Sequence, residues 1–322
     1  MPLDVEWRHR YDPVDQAMTG APCALCGSPR TSALYRECRN RREGIPGVFD
    51  VLRCAACGIA FVSPRPTPEL LAALYDTGYH SHIATSGRGP AVVQLVKACC
   101  LWSYRWRFGH ERGTVPPFGQ GRLLDVGCGT GDYLAAMAAL GWQGTGCDVS
   151  GPALAAARRR VPGAAWHQGP IEAMPVGPVA FDLITLWHTL EHLPNPVETL
   201  RHLRTRLAPG GRLLLAVPNI ESVEARMFGR RWVEIDMPSH LLFFSTATLQ
   251  AVLGQAGLVC TRIRPQVHPS TVSDACGFLI DDLLGLQRSR QRLWLYGALY
   301  PWTVMSYALG NWGCLEVTAM KP

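Results

Sequence analysis

The sequence predicts an α/β fold in which strands and helices alternate and build a mostly parallel, Rossmann-like sheet. The first observation is the stretch 123–132, where a short buried strand leads through a glycine-rich turn into a helix. The second is a strand at 144–148 that ends in an acid, followed by further strand patterns at 181–187 and 213–217 that are separated by helical patterns. Because parallel sheets bind ligands at the carboxyl ends of their strands, the turn and the acid mark the expected site.

The composition indicates a globular, cytosolic protein. The chain has 322 residues, of which 48% are hydrophobic and 17% charged, enough for a sizeable core. Its net charge of +6 comes almost entirely from arginines, which we interpret mostly as solvated helix faces, so a nucleic-acid partner is not expected. The first residues show no apolar signal segment. Twelve cysteines in a cytosolic chain then indicate metal binding or buried thiols rather than disulfides.

Two paired-cysteine motifs near the N-terminus predict a zinc site. Cys23 and Cys26 form the first C-x-x-C motif, Cys54 and Cys57 form the second, and a glycine follows each. Four thiolates make a closed tetrahedral site with no open position, so the Zn²⁺ would be structural. The alternative is four buried cysteines that hold no ion. The motifs predict a zinc-ribbon domain at 1–62.

The turn after the first strand favours S-adenosylmethionine (SAM) over a dinucleotide. A dinucleotide fingerprint, G-x-G-x-x-G, directs backbone N–H groups at a pyrophosphate. Here Asp125 precedes the glycines Gly127, Gly129 and Gly131. A carboxylate at that position would repel a pyrophosphate but suits the ammonium group of a methionine moiety. Asp148, at the end of the second strand, can take two ribose hydroxyls.

These motifs, together with 181–184 and 207–215, resemble the class I SAM-dependent methyltransferases over roughly residues 120–265. The resemblance implies SAM as the cofactor. It also implies a Rossmann-like methyltransferase domain at 119–322 whose last strand, near 313–319, is antiparallel.

The adenine loop departs from the family pattern. The family usually places an acid there that accepts from the adenine amino group, but this sequence has Pro170. The contact would then fall to the backbone of Ile171, with Glu172 as a candidate substitute. The expected SAM-binding residues are Asp125, Gly127, Cys128, Gly129, Gly131, Asp148, Val149, Ile171, Glu172, Leu186 and Tyr79.

A second resemblance concerns residues 63–118, a stiff linker followed by a helical cover segment. A zinc ribbon, Pro-Arg-Pro, a short helix and a Tyr-x-x-x-Tyr pair resemble a methyltransferase subgroup that modifies sugars and other secondary metabolites. In that subgroup the N-terminal region covers the cofactor pocket and helps to bind the acceptor. By this resemblance Tyr75 and Tyr79 are cover residues, and simple helix packing is the alternative.

Three histidines are candidates for the base that a methyl transfer often requires. The strand 181–187 delivers His188 and His192 to the edge of the expected pocket, and imidazole has a suitable pKa. Glu191 and His192 could instead cap the following helix. His240, in a D-x-P-x-H pattern with Asp236, could be a second base or orient the acceptor, or it could only anchor its loop. Asp236, His240 and His192 could also form a metal site, but the sequence does not show that they converge.

Two segments decorate the predicted catalytic domain. Residues 218–244 form a long aromatic connection that is expected to serve as an acceptor-binding lid. Residues 265–311 form an aromatic helical insertion before the last strand. Its uncharged stretch is short for a membrane span and broken by Gly297 and Pro301, so an interfacial or homodimer contact through 290–310 is preferred.

We therefore expect a cytoplasmic methyltransferase, with peripheral contact at the inner membrane face as a further expectation. The predicted reaction transfers the SAM methyl group to an oxygen or carbon of a small acceptor, a sugar or related metabolite that could be lipid-linked. The alternatives are a quinone or aromatic O-methyltransferase, an RNA methyltransferase, and a non-catalytic scaffold that binds SAM.

Overall fold

The structure is a computed structural model of the chain. It describes residues 22–41, 47–67, 71, 120–175, 180–266, 271–285, 295, 298–299, 301–302, 305 and 313–322. Tyr75, Tyr79 and most of the expected helical cover segment lie outside these residues, as does most of the segment 290–310.

The described elements alternate between strands and helices from residue 122 onward. The strands are β1 Thr31–Cys38, β2 Phe49–Cys54, β3 Ala60–Ser63, β4 Arg122–Val126, β5 Gln143–Asp148, β6 Ala165–Gln168, β7 Phe181–Trp187, β8 Leu207–Pro218, β9 Leu242–Phe243, β10 Val259–Gln266 and β11 Cys314–Met320. The α-helices are α1 Asp132–Ala138, α2 Gly151–Arg160, α3 Pro196–Arg206, α4 Val223–Phe228, α5 Thr246–Gln255 and α6 Thr271–Leu283.

The chain divides into two compact units. The first contains Met1–Pro68, Pro218–Thr248 and Val267–Cys314, and the second contains Glu69–Val217, Leu249–Gln266 and Leu315–Pro322. Most of the expected lid and insertion therefore falls in the same unit as the cysteine motifs.

The second unit is built on a seven-stranded sheet in the order β10-β11-β8-β7-β4-β5-β6. The sheet is mostly parallel with an antiparallel last strand, which confirms the predicted fold class. Strand β4 lies next to the central strand β7, and its Asp125 pairs with Gly146 of β5 on one side and with Thr185 of β7 on the other. The chain order reverses at β4, and this reversal opens a crevice at the carboxyl ends of β4, β5 and β7.

Close packing under β5 explains the small residues in that strand. Gly146 is buried, and a Cβ atom built on it would lie 2.4 Å from a ring carbon of Trp166. The indole packs on a core that includes Leu134, Met137 and Leu154 of the covering helices α1 and α2. A side chain at residue 146 would push this ring out of its place.

The first unit is built on a four-stranded antiparallel sheet in the order β1-β2-β3-β9. Its first three strands come from the N-terminal cysteine-rich segment. The fourth strand comes from the expected lid, more than a hundred residues later. Phe49, Phe243 and Trp232 are among the large side chains that fill the core of this unit.

Among the described residues, no helix is both long enough and apolar enough to cross a membrane.

We expect Gly146→Ala to lower the free energy of unfolding of the sheet unit by about 1–3 kcal/mol, because the new methyl group overpacks the core against Trp166. Gly163→Ala is the matched control, since no atom lies within 4 Å of a Cβ at that position. This control should change the free energy of unfolding by less than about 0.5 kcal/mol. Urea unfolding followed by tryptophan fluorescence measures both, and equal stability of the two variants would contradict the packing argument.

Candidate active site and metal centre

The glycine-rich turn between β4 and α1 shapes the floor of the crevice. Gly127, Gly129 and Gly131 all have positive φ angles, of 71°, 52° and 75°. A Cβ atom on Gly127 would lie 2.3 Å from the hydroxyl oxygen of Thr189, so only glycine fits there. No atom lies within 4 Å of a Cβ built on Gly129, which leaves the backbone open to a ligand. The turn therefore has a backbone conformation that requires glycine, and its surface at Gly129 is open to a ligand.

Asp148, at the carboxyl end of β5, faces this turn. Its carboxylate accepts hydrogen bonds from the backbone N–H of Gly129, at 2.8 Å, and from that of Ser150, at 2.9 Å. Each oxygen uses one lone pair in these bonds and keeps a second. The residue is 94% buried, so both bonds fix the direction of the carboxylate. It can accept two vicinal hydroxyls of a ribose.

Asp125 lies one strand away and is deeply buried. Burial raises the pKa of its carboxyl group to about 7, and the neighbouring charge of Asp148 acts in the same direction. The hydroxyl of Thr185 donates to it at 2.7 Å, which opposes this rise in pKa. The two carboxylates lie at the carboxyl ends of neighbouring strands, where they create a negative electrostatic potential. A bound cation would reduce the repulsion between them. The ammonium group of SAM fits this requirement.

The adenine side of the site combines apolar and bonded residues. Val149 directly follows Asp148, and its side chain is 42% exposed, while Ile171 and Leu186 are buried. The carboxylate of Glu172 accepts a short hydrogen bond from the hydroxyl of Thr199 on α3. Glu172 would have to share this bond to bind an adenine amino group, so Val149 is the better-placed apolar contact.

Cys128 is another of the expected SAM-binding residues that the structure describes. It lies in the turn and is buried, and burial together with nearby carboxylates raises the pKa of its thiol. The thiol therefore stays protonated and acts as a small apolar side chain. Tyr79 lies outside the described residues.

His188 is held at both ring nitrogens. Its backbone has a positive φ of 50°, its Nδ1 lies 3.5 Å from a carboxylate oxygen of Glu191, and its Nε2 lies 3.2 Å from the side-chain oxygen of Gln266. Proton transfer to His188 from an acceptor would require one of these contacts to open. The arrangement favours a positioning role for its ring.

His192 ends a 3₁₀ turn, Leu190–His192, that follows β7. Its backbone N–H donates to the carbonyl of Thr189 at 3.0 Å, and its side chain is half-buried. The hydroxyl of Thr189 in turn donates to the carbonyl of Val126 at 3.1 Å. These bonds hold the turn that carries His192 at the carboxyl end of β4, beside the glycine-rich loop.

His240 lies in the first unit and is buried there. Its Nδ1 lies 2.7 Å from the carbonyl oxygen of Glu234, and its backbone N–H donates to the carbonyl of Asp236 at 2.8 Å. Since a carbonyl only accepts, Nδ1 carries the proton, and the ring lone pair lies on Nε2. Such a tautomer can accept a proton or bind a metal through Nε2.

The four cysteines of the two motifs come together in the first unit. The sulfur atoms of Cys23 and Cys57 lie 3.6 Å apart, those of Cys26 and Cys54 lie 3.7 Å apart, and all four lie within 4.8 Å of one another. Tetrahedral zinc with Zn–S bonds of about 2.3 Å requires sulfur atoms roughly 3.8 Å apart. All four thiols are free of disulfides. The cluster fits a zinc ion.

Backbone N–H groups point at two sulfur atoms of this cluster, although burial raises the pKa values of the Cys23 and Cys57 thiols. The N–H of Leu25 lies 3.4 Å from the sulfur of Cys23, and the N–H of Ala56 lies 3.3 Å from that of Cys54. Burial raises the pKa of the Cys54 thiol, but the N–H groups of Cys57 and Ala56 and the neighbouring thiols outweigh it and lower this pKa to about 6.

Several residues of the site escape the sequence analysis. Thr185 and Thr189 orient Asp125 and the loop after β7, and Trp187 packs its indole against Tyr133 with ring centres 5.2 Å apart. Their signal was available in part, because each lies near the carboxyl end of a strand or the start of α1. Gln266 left no such signal, since it bonds to a residue 78 positions away.

The comparisons with known proteins agree with this geometry. The family model described as "Methyltransferase domain" matches residues 105–263, which include the turn, Asp125 and Asp148. The "Ubiquinone biosynthesis O-methyltransferase" of Aeromonas salmonicida is 34% identical over 168 residues, or 48% of this chain and 68% of that protein. The chain belongs to the SAM-dependent methyltransferases. SAM is therefore its cofactor, and the turn with its two acids is the site that fits it.

Two further proteins are similar to this chain. The "Ubiquinone biosynthesis O-methyltransferase" of Albidiferax ferrireducens is 36% identical over 110 residues, 32% of this chain and 43% of that protein. The chain thus spans less than half the length of that relative. Among solved structures, the [4+2]-cyclase SpnF is 20% identical with a TM-score of 0.49, covering 80% of this chain and 97% of that one.

We expect Asp148→Asn to weaken SAM binding by roughly 10- to 100-fold, because hydrogen bonds to a charged group are lost or weakened. Asp182→Asn is the matched control, since Asp182 is exposed near the amino end of β7, whereas the proposed site lies at the carboxyl ends of the strands. Isothermal titration calorimetry measures both affinities. Unchanged affinity in Asp148→Asn would contradict the ribose role.

We also expect the affinity for SAM to depend on pH through Asp125. With a pKa of about 7 in the free protein, the carboxyl group must lose its proton to attract the ammonium group. Affinity should therefore fall about tenfold for each pH unit below 7. Calorimetry between pH 5.5 and 8 tests this, and Asp125→Asn should bind more weakly with a flat profile. A sloping profile in that variant would assign the pH dependence to another group.

Proposed function

We propose that this methyltransferase moves the methyl group of SAM to an oxygen of a small acceptor that carries a hydroxyl group. The observation that carries the proposal is the open glycine-rich turn at Gly129, faced by the bonded carboxylate of Asp148 inside the segment that matches the family. A crevice at a reversal of strand order is the usual ligand site of such sheets.

SAM, when bound, supplies a methyl group that is already activated by a sulfonium centre. The chain then has to orient the cofactor, exclude water and manage one proton. In the proposal, Asp148 holds the ribose and Asp125 holds the ammonium group. Val149 and the Ile171 backbone cover the adenine. These contacts would hold SAM in the crevice at the carboxyl ends of the strands.

His192 is the base in this proposal. It lies on the turn after β7, half-buried, and the hydrogen bond from Thr189 to Val126 ties that turn to β4. The acceptor oxygen forms its bond to the methyl carbon as the carbon–sulfur bond breaks, and its proton passes to the imidazole of His192. His188 positions the carboxylate of Glu191, the residue before His192, because its Nδ1 lies 3.5 Å from a carboxylate oxygen of Glu191. His240 is the alternative base, since its lone pair lies on Nε2.

Two acceptor classes remain in the proposal. A sugar or related secondary metabolite, free or lipid-linked, is supported by the order of the ribbon, Pro-Arg-Pro linker and tyrosine pair in the sequence. An aromatic or quinol-type hydroxyl is the second candidate, and the names of the relatives from Aeromonas salmonicida and Albidiferax ferrireducens favour it. We prefer oxygen to carbon as the methylated atom because both names specify an O-methyltransferase.

We further propose that Cys23, Cys26, Cys54 and Cys57 hold one structural Zn²⁺. The support is the spacing of their sulfur atoms, which matches a tetrahedral zinc site. With four protein ligands the ion keeps no open position, so it takes no part in the methyl transfer.

The test is release of S-adenosylhomocysteine by the purified protein with SAM and one acceptor probe at a time. The probes are 3,4-dihydroxybenzoate for an aromatic hydroxyl, dTDP-glucose for a sugar, and a transcribed RNA. We expect turnover with one of the first two. Turnover on RNA alone would overturn the small-acceptor proposal, and SAM binding without turnover on any probe would support the scaffold alternative.

We expect His192→Asn to lower kcat by about 10²- to 10⁴-fold on the probe that reacts, because the proton has no acceptor of suitable pKa. Its affinity for SAM should stay within about twofold, since the imidazole does not hold the cofactor. Glu198→Gln on α3 is the control, because Glu198 is exposed and its carboxylate pairs with Arg201 on the same helix, and the kcat of this variant should not change. A His192→Asn variant with normal kcat would move the base to His240.

A further inference from the structure

The strand β9 of the expected lid completes the sheet of the cysteine-rich segment. Ala60 pairs with Phe243, and Phe61 pairs with Leu242. The backbone N–H of Val62 adds a bond of 3.1 Å to the carbonyl of Leu241. Strand β3 begins three residues after Cys57. The second cysteine motif thus leads directly into the strand that holds the lid.

A buried side-chain contact joins the two segments a second time. The amide of Asn40, two residues after β1, donates to a carboxylate oxygen of Asp236 at 3.0 Å and to the carbonyl of Met237 at 2.8 Å. Both Asn40 and Asp236 are more than 90% buried. A buried carboxylate needs such a donor, since water cannot reach it. The conformation of residues 236–237 therefore depends on the place of Asn40.

The orientation of His240 depends on the same turn. Its Nδ1 donates to the carbonyl of Glu234, and its backbone N–H donates to the carbonyl of Asp236. The ring lies edge-on to Phe243 of β9, with ring centres 6.2 Å apart. Every one of these partners belongs to the segment that Asn40 and β3 hold. If that segment moved, the imidazole would lose the carbonyl that fixes its tautomer.

The described part of the cysteine-rich segment combines a small buried core, which includes Phe49, Val51 and Phe61, with two cysteine turns. It consists of three short strands, and its two motifs are tight turns closed by bonds from Gly27 to Cys23 and from Gly58 to Cys54. Small domains of this kind couple their folding to metal binding, because the metal bonds replace a large core. Loss of the ion would therefore loosen β3 and the residues that follow β1.

We propose that the metal centre positions the lid: occupancy of the four-cysteine site sets the conformation of residues 232–244, and Asn40 is the positioning residue that transmits it. The proposal rests on the zinc site proposed above. In this proposal the ion takes no part in the chemistry, but it determines how the imidazole ring of His240 is oriented.

Hydrogen–deuterium exchange of the full-length protein tests the inference without a known acceptor. Native mass spectrometry first counts the zinc. The exchange is then recorded as purified, after chelation with a high-affinity zinc chelator, and after zinc is added back. We expect chelation to speed exchange at least tenfold in peptides from 49–63 and 232–244, with recovery on zinc addition. Peptides from β4 and β7 should not change.

Two results contradict different parts of the argument. If the protein neither carries nor takes up zinc, the metal centre itself is wrong, and the inference falls with it. If zinc binds and its removal speeds exchange in 49–63 but not in 232–244, the metal centre stands and the coupling to the lid is wrong.

The variant Asn40→Ala isolates the transmission step. It should keep one zinc ion and full SAM affinity, yet speed exchange at least tenfold in 232–244 only. The imidazole nitrogen signals of His240 should lose the pattern of the Nδ1-protonated tautomer, a change that general loss of stability would not cause selectively. Arg39→Ala is the matched control, because Arg39 directly precedes Asn40 in the chain and its side chain is exposed. Equal exchange in both variants would overturn the role of Asn40.

Discussion

The hydrogen bond from the backbone of Gly129 to Asp148 is the constraint on which the cofactor site depends. It joins the turn after β4 to the end of β5, two strands that are neighbours in the sheet. The bond can form only because Gly129 has a positive φ and because Gly127 leaves room for the hydroxyl of Thr189. The glycines therefore serve two purposes at once, since they let the strands' ends close together and keep the backbone open toward a ligand.

The electrostatics of the site follow from this closure. Asp125 and Asp148 are both buried at adjacent strand ends, and burial favours the neutral form of Asp125. A protein gains no stability by placing two acids in this way, so the arrangement is best understood as preparation for a cation. In the proposed site the ammonium group of SAM supplies that charge. In this respect the site is incomplete without its cofactor, which is typical of binding sites that give up stability for function.

The first unit is organised differently, around a four-cysteine cluster and a strand contributed from far along the chain. Its sheet would expose the edge of β3 if β9 did not pair with it, and an exposed edge is a liability that proteins usually cover. Covering that edge with the segment that carries His240 links protection of the sheet to placement of the side chain that we propose as the alternative base. The buried bond between Asn40 and Asp236 adds specificity to this pairing, because a mispaired lid would leave the carboxylate without its donor.

Local pattern by itself determined the strand and turn at 123–132, the acid at Asp148 and the two cysteine motifs, because each depends on neighbouring residues and on the periodicity of strands and helices. The predicted α/β class and the family followed from these. Only the tertiary structure decided that β9 joins the sheet of the cysteine-rich segment and that Asn40 bonds to Asp236 across 196 positions. The same holds for the contact between the side-chain oxygen of Gln266 and a ring nitrogen of His188. Such contacts depend on loop closure and on shape at buried surfaces, and neither leaves a periodic trace in the order of the residues.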